Sequence, residues 1–232
     1  MVEIKGLEKF SPRDYPGFLS ATVFLGACNF RCPYCHNAQL VLNPDGIPSF
    51  PMDYFTDFLN SRGDWLEGIC ISGGEPLIHK DLGDFLAFLK ERDLRVKLDT
   101  NGTFPSRLKD LIARGLVDSI AMDVKGPLSR YAEITRTAVD QEKIRRSIDI
   151  VMNSGLDYVF RITAVPGLID VEGMEDIGRM CQGAKVFQIQ QFSPVNTLDP
   201  AFEKRKPLKR DEIRALARRA EKYFEEIRFE EA

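Results

Sequence analysis

Short apolar segments rich in β-branched residues alternate along the chain with stretches in which apolar positions recur every three to four residues. That alternation predicts strands followed by amphipathic helices. Residues 21–25 (ATVFL) predict a first strand, and a helix near 53–61 carries Phe55, Phe58 and Leu59 on one face. Residues 66–72 (LEGICIS) predict a second strand running into the turn GGEP, after which Leu82, Phe85, Leu86 and Leu89 form one helical stripe. A third strand at 95–99 (RVKLD) closes on Asn101-Gly102, ahead of a helix marked by Leu108, Leu111 and Ile112. A fourth, 119–124 (SIAMDV), leads through Gly-Pro to a helix at 141–153, where Ile144, Ile148 and Val151 share a face and Gly155 provides the stop. Strand five covers 158–165 and ends at Pro166-Gly167; a weaker helix follows near 174–181, and 185–190 (KVFQIQ) make strand six. A last helix, about 209–225, turns Ile213, Leu216, Ala217, Ala220 and Phe224 inward.

Parallel neighbours need a crossover, so this order implies an α/β fold with a parallel sheet. Six strand-helix units suit a partial (β/α)6 TIM-type barrel. A doubly wound open sheet satisfies the same periodicity, which does not report closure. No linker of biased composition divides the chain, so residues 1–232 are expected to form one domain, with its core at about 18–193.

With 232 residues, 44% of them hydrophobic, the chain can bury a core without crosslinks. Its formal charge of -3 argues against a general nucleic-acid or anionic-membrane binder. The nine Lys and Arg within residues 203–222 meet four acids there and four Glu in the next ten positions, the composition of a solvated face. No apolar run approaches the ~18 residues of a membrane span, and MVEIKGLEKF places charges where a secretory signal would be apolar. A cytoplasmic protein is expected.

Five cysteines are an odd number, and Cys28, Cys32 and Cys35 fall within eight residues, which suits metal better than a disulfide framework. Three thiolates are one short of a closed shell, so C28-N-F-R-C32-P-Y-C35 suits an iron-sulfur cluster with one iron open to a ligand. The alternative is a zinc knot or closed cluster without catalysis, with Cys70, Cys181 or His36 as fourth ligand. Cys70 in an apolar strand and Cys181 late in a helix read more simply as buried small hydrophobes.

Reactive groups in parallel α/β folds gather beyond the carboxyl ends of the strands. The unusual polar residues stand at those ends: the cysteines after strand one, GGEP after strand two, Asp99 to Gly102 after strand three, Asp123 to Lys125 after strand four and Gln190-Gln191 after strand six. GGEP lacks the longer phosphate-binding fingerprints; its exposed backbone and carboxylate suit a ligand's ammonium group. Lys125 and Arg161 suit a carboxylate, or else a plain ion pair. Asp99 and Asp123 suit a cation, or the capping of turns.

Together, C28-x3-C32-x2-C35 with an aromatic before the last cysteine, GGEP and the partial barrel resemble the radical S-adenosylmethionine superfamily over residues 14–193. DYPG at 14–17, CNFRCPYCHN, DTNG, MDVKGP and RITAVPG look like its glycyl-radical-enzyme activases. The pattern is most similar to activases of anaerobic ribonucleoside-triphosphate reductase, and pyruvate formate-lyase activating enzyme shares several of the motifs. The resemblance implies a [4Fe-4S] cluster on Cys28, Cys32 and Cys35 whose open iron chelates S-adenosylmethionine. One-electron reduction then yields a 5′-deoxyadenosyl radical that removes hydrogen from a glycine of the partner. It also implies that the backbone of Gly73, Gly74 and Glu75 receives the methionine ammonium, that Lys125 and Arg161 approach the carboxylate or ribose, and that Tyr34 lies along adenine. Asp99, Thr100, Asp123 and the Val124 carbonyl match a region that holds a monovalent cation in pyruvate formate-lyase activating enzyme. The implied partners are a glycyl-radical enzyme, anaerobic ribonucleotide reductase first, and an electron donor such as flavodoxin or ferredoxin. Two departures stand out: FQIQQFSPVN offers no histidine after strand six, and no eight-cysteine insertion is present. A small-molecule radical enzyme is the alternative.

Overall fold

The computed structural model describes residues 2–230, which form two compact units. The first comprises 2–29, Gln39–Thr100 and Ser106–Ile120; the second comprises Phe30–Ala38, Asn101–Pro105 and 121–230.

The first unit carries strands β1 (Ile4–Glu8), β2 (Ser20–Leu25), β3 (Gly68–Gly73) and β4 (Arg95–Thr100), which lie in the sheet in chain order. β2, β3 and β4 are parallel, and β1 joins β2 antiparallel with a bulge between Ile4 and Gly6. The helices are α1 (Ala38–Leu42), α2 (Met52–Arg62), α3 (Leu82–Lys90) and α4 (Pro105–Ala113), the first residues of α1 and α4 falling in the second unit. The expected stripes are buried: Phe55, Phe58 and Leu59 on α2, and Leu82, Phe85, Leu86 and Leu89 on α3. Phe55 and Phe85 meet with ring centroids 5.7 Å apart.

β5 (Ser119–Asp123) crosses from one set of residues to the other. The second unit then contains α5 (Tyr131–Thr135), α6 (Gln141–Met152), β6 (Asp157–Ala164), α7 (Val171–Met180), β7 (Ala184–Gln191), α8 (Arg210–Ala220) and β8 (Phe224–Glu230). β6, β7 and β8 are parallel neighbours in chain order. Asp140 and Asp170 cap α6 and α7 by accepting the amides of Glu142 and Gly173 at 3.1 and 2.7 Å. Ile144, Ile148 and Val151 form the buried face of α6, as their spacing requires.

β2 to β7 are the six strands that the pattern predicts. The C-terminal expectation needs correction: α8 stops at Ala220, and the chain continues into β8. Phe224 sits one helical turn beyond Ala220 and so extends the apolar stripe on paper. In the structure its ring stacks on Phe187 at 4.4 Å, and Gln190 donates to the Glu230 carboxylate at 2.7 Å, so packing against β7 overrides the local period. Among the described residues, no helix is long and apolar enough to cross a membrane.

Candidate functional site

In the first unit, the turn after β3 is built by close backbone approach. Gly74 and Glu75 donate their amides to the carbonyls of Leu25 and Ala27 at 2.8 and 2.9 Å, tying the turn to the chain leaving β2 just before Cys28. A Cβ on Gly74 would stand 1.8 Å from the Ala27 carbonyl oxygen, and one on Gly73 would stand 2.3 Å from that of Leu25. Gly73 also has φ +111, which favours glycine. Glu75 departs from expectation: its side chain is not presented to solvent but is fully buried. Its Oε1 accepts from the Leu77 amide at 3.0 Å and the Thr100 hydroxyl at 2.8 Å, joining the ends of β3 and β4.

Side chains two apart on a strand share a face, and the parallel register aligns Thr22, Cys70 and Lys97 in one row across β2, β3 and β4. One step on, Ser72 donates to Asp99 Oδ2 at 3.2 Å, while the Lys97 ammonium pairs with Asp99 Oδ1 and lies 3.7 Å from Cys70 Sγ. Lys97 is 5% exposed and Asp99 9%. Sequence reasoning missed Lys97. The available signal was the two-residue period, which puts it on the face of Asp99 in a strand flanked by apolar neighbours.

In the second unit, Cys32 is buried and Cys35 half-buried, and the Cys35 amide bonds the Cys32 carbonyl at 3.1 Å. Backbone hydrogen bonds tie this loop to later segments of the chain. The Arg31 amide donates to Thr135 at the end of α5, and the amides of Leu198 and Asp199, beyond β7, donate to the carbonyls of Cys35 and Pro33, each at 2.9 Å. His36 Nε2 stands 2.9 Å from the Ser193 carbonyl oxygen, so one ring nitrogen of that alternative ligand is already engaged. Burial pushes the Cys35 thiol up, opposed by the Asn37 amide and the Lys125 charge, groups that favour a thiolate. Tyr34 is buried and its hydroxyl is pushed well up by desolvation, with the Cys32 charge adding to it.

Asp123, at the end of β5, receives Arg161 Nε of β6 on Oδ1 at 2.8 Å and Lys125 Nζ on Oδ2 at 3.2 Å. The two cations are therefore ion-paired, yet their side chains are only 16% and 18% exposed, unlike a surface bridge. Burial alone would raise the Asp123 pKa; Arg161 and Lys125 outweigh it and hold the group at about 2. Lys125, despite desolvation, is pushed well up by Asp123 and by the negative forms of Tyr34, Cys32 and Cys35. A carboxylate with a depressed folded pKa contributes stability above its unfolded value and loses it on protonation. Stability of the cofactor-free protein should therefore fall, by on the order of 2 kcal/mol from this group, as pH drops from about 4 to about 2. Urea unfolding across that window should show a shallower loss for Asp123→Asn.

The residues present fit two of the three implied groups. Cys28, Cys32 and Cys35 stand on one loop outside any disulfide, and the last two feel the Lys125 charge, which fits a cluster with one open iron. Among the described residues, no three His, Cys, Asp or Glu side chains gather tightly enough for one shared ion. A four-iron cluster makes a different demand, since it takes each thiolate on a separate iron. The Lys125-Asp123-Arg161 group fits the carboxylate of S-adenosylmethionine. A monovalent cation does not fit. The Lys97 ammonium sits on Asp99 Oδ1, and both Asp123 oxygens face protein cations.

The sequence pattern of the radical SAM superfamily matches residues 22–182. A Methanocaldococcus jannaschii protein named "Putative glycyl-radical enzyme activating enzyme" is 35% identical over 230 residues, covering 97% of this chain and 94% of its own. The pyruvate formate-lyase-activating enzyme of Streptococcus mutans is 27% identical over 84% of this chain and 78% of its own. Among solved structures, SuiB of Streptococcus suis superposes with a TM-score of 0.66 at 15% identity, over 89% of this chain and 47% of that one. The last of these likenesses speaks for the fold alone.

Proposed function

The chain belongs to the radical SAM superfamily, as a radical SAM enzyme homologous to glycyl-radical-enzyme activating enzymes, and from that premise we propose that it installs a glycyl radical on anaerobic ribonucleoside-triphosphate reductase. Its fold is the α/β partial barrel of that superfamily, and its cofactors are a [4Fe-4S] cluster and S-adenosylmethionine. The observation that carries the proposal is the likeness to an activase-named protein over nearly the whole length of both chains. The activase motifs at 14–17, 99–102, 122–127 and 161–167 support it.

In this reading Cys28, Cys32 and Cys35 hold three irons. Bound there, cluster and cofactor supply one-electron chemistry able to break an unactivated C–H bond. The protein's part is placement. Asp123 holds Lys125 and Arg161 in fixed positions, which lowers the ordering cost of a carboxylate binding beside them. Buried Tyr34 offers an aromatic face beside the thiols, and the turn at Gly73, Gly74 and Glu75 contributes backbone carbonyls for an ammonium group. Reducing equivalents come from a flavodoxin- or ferredoxin-type donor.

The reduced protein, mixed anaerobically with a glycyl-radical ribonucleotide reductase from the same cell, is expected to produce a stable glycyl radical. Its doublet in electron paramagnetic resonance should collapse with α-deuterated glycine in the partner, and deuterium should appear in 5′-deoxyadenosine. Efficient cofactor cleavage with no radical on that reductase or any other glycyl-radical enzyme of the cell would point to a small-molecule substrate instead.

A further inference from the structure

We propose that Lys97 is a built-in counter-ion for Asp99, so that this chain binds S-adenosylmethionine and holds its fold without a bound monovalent cation. The cofactor half of the statement rests on the function proposed above; the fold half does not.

The residues at issue are those that the family resemblance marks for a cation. A sodium or potassium ion needs several oxygens whose lone pairs point at it, with no competing positive charge on them. Asp99 fails the second condition. Its Oδ1 is paired with the Lys97 ammonium, and its Oδ2 accepts the Ser72 hydroxyl at 3.2 Å. The pair is not an accident of a mobile surface side chain. Lys97 is 5% exposed, its Cα is in register with Cys70 on β3, and its Nζ lies 3.7 Å from Cys70 Sγ. A buried ammonium with a carboxylate on it is the arrangement that burial of a lysine requires. An ion placed on the same carboxylate would sit beside a fixed like charge in a poorly solvated interior.

Asp123, within its own unit, repeats the arrangement, with Arg161 on one oxygen and Lys125 on the other. Each of these carboxylates, within its own unit, thus already faces side-chain positive charge.

The test compares potassium chloride, sodium chloride and choline chloride at equal ionic strength, since choline is too large for an inorganic cation site. Two quantities are read: the melting temperature of the cofactor-free protein, and S-adenosylmethionine affinity in the anaerobically reconstituted protein. For the wild type, melting temperatures within about 1 °C and affinities within about threefold across the salts are expected. Lys97→Met removes the ammonium and leaves Asp99 without it. That variant should gain a saturable rise in melting temperature with potassium or sodium over choline, and should bind the cofactor at least tenfold more tightly in the inorganic salts. A wild-type melting temperature or affinity that climbs saturably with potassium or sodium overturns the proposal. The wild-type arms decide it even if Lys97→Met fails to fold. Failure of S-adenosylmethionine to bind in any salt would count against the proposed function, while the melting data still judge the counter-ion.

Discussion

Alanine at Cys28, Cys32 or Cys35 is expected to abolish both cluster assembly and S-adenosylmethionine cleavage, whereas serine at Cys70 or Cys181 leaves both intact. In the proposed assignment each of the first three supplies one of only three thiolates for a four-iron cluster, which would leave no spare ligand to compensate. The two controls sit in different chemistry. Cys181 is fully buried and its thiol is pushed up by desolvation alone, the environment of an inert packing residue. Cys70 lies within β3, its sulfur beside the Lys97 ammonium, where serine keeps a polar group of similar size. The measurement is iron and sulfide per chain after anaerobic reconstitution, with 5′-deoxyadenosine release under reduction. A serine variant that melts like the wild type yet carries no cluster would overturn the ligand assignment.

Much of this architecture is legible in the sequence because its signals are local. α3 and α6 announce their buried faces by spacing alone, and the six strands β2 to β7 stand out as apolar runs punctuated by Gly, Pro and Asn. β1 and β8 are invisible for a physical reason. Both lie at the ends of the strand order, and in β8 (FEEIRFE) Phe224 and Ile227 stand three apart, a spacing that also continues the stripe of α8. The parallel ladder with β7, the stacking of Phe224 on Phe187 and the Gln190 bond to Glu230 decide for a strand, and those contacts are distant in the chain. The candidate site divides the same way. The cysteines are legible by spacing, while the partners of Lys125, Arg161 and Asp99 depend on strand register. Glu75 shows the cost of reading a motif alone: its carboxylate, offered to a ligand on paper, is spent joining two strand ends inside the protein.

Replacing Gly74 by alanine is expected to destabilise the cofactor-free protein by about 3 kcal/mol or more, a larger loss than a glycine confined to ligand contact would produce. The new Cβ would lie 1.8 Å from the Ala27 carbonyl oxygen and 2.6 Å from its carbon. These are backbone atoms and cannot rotate aside. Retreat is blocked as well, because the Gly74 amide is bonded to Leu25 and the Glu75 amide to Ala27. Ala27 already sits at φ 61, a left-handed conformation unusual for alanine, so the segment leading to Cys28 has little slack. Relief of the clash must therefore move the chain that carries Cys28, and the folded remainder should assemble less cluster. Gly155→Ala is the control: its φ of +75 strains the new residue, yet nothing lies within 4 Å of the added carbon, and a loss of about 1 kcal/mol is expected. Thermal unfolding without iron or S-adenosylmethionine separates the two roles of this turn. A Gly74→Ala protein that melts with the wild type but fails to bind S-adenosylmethionine would show that the glycine serves the ligand, and that its packing against the end of β2 carries no weight.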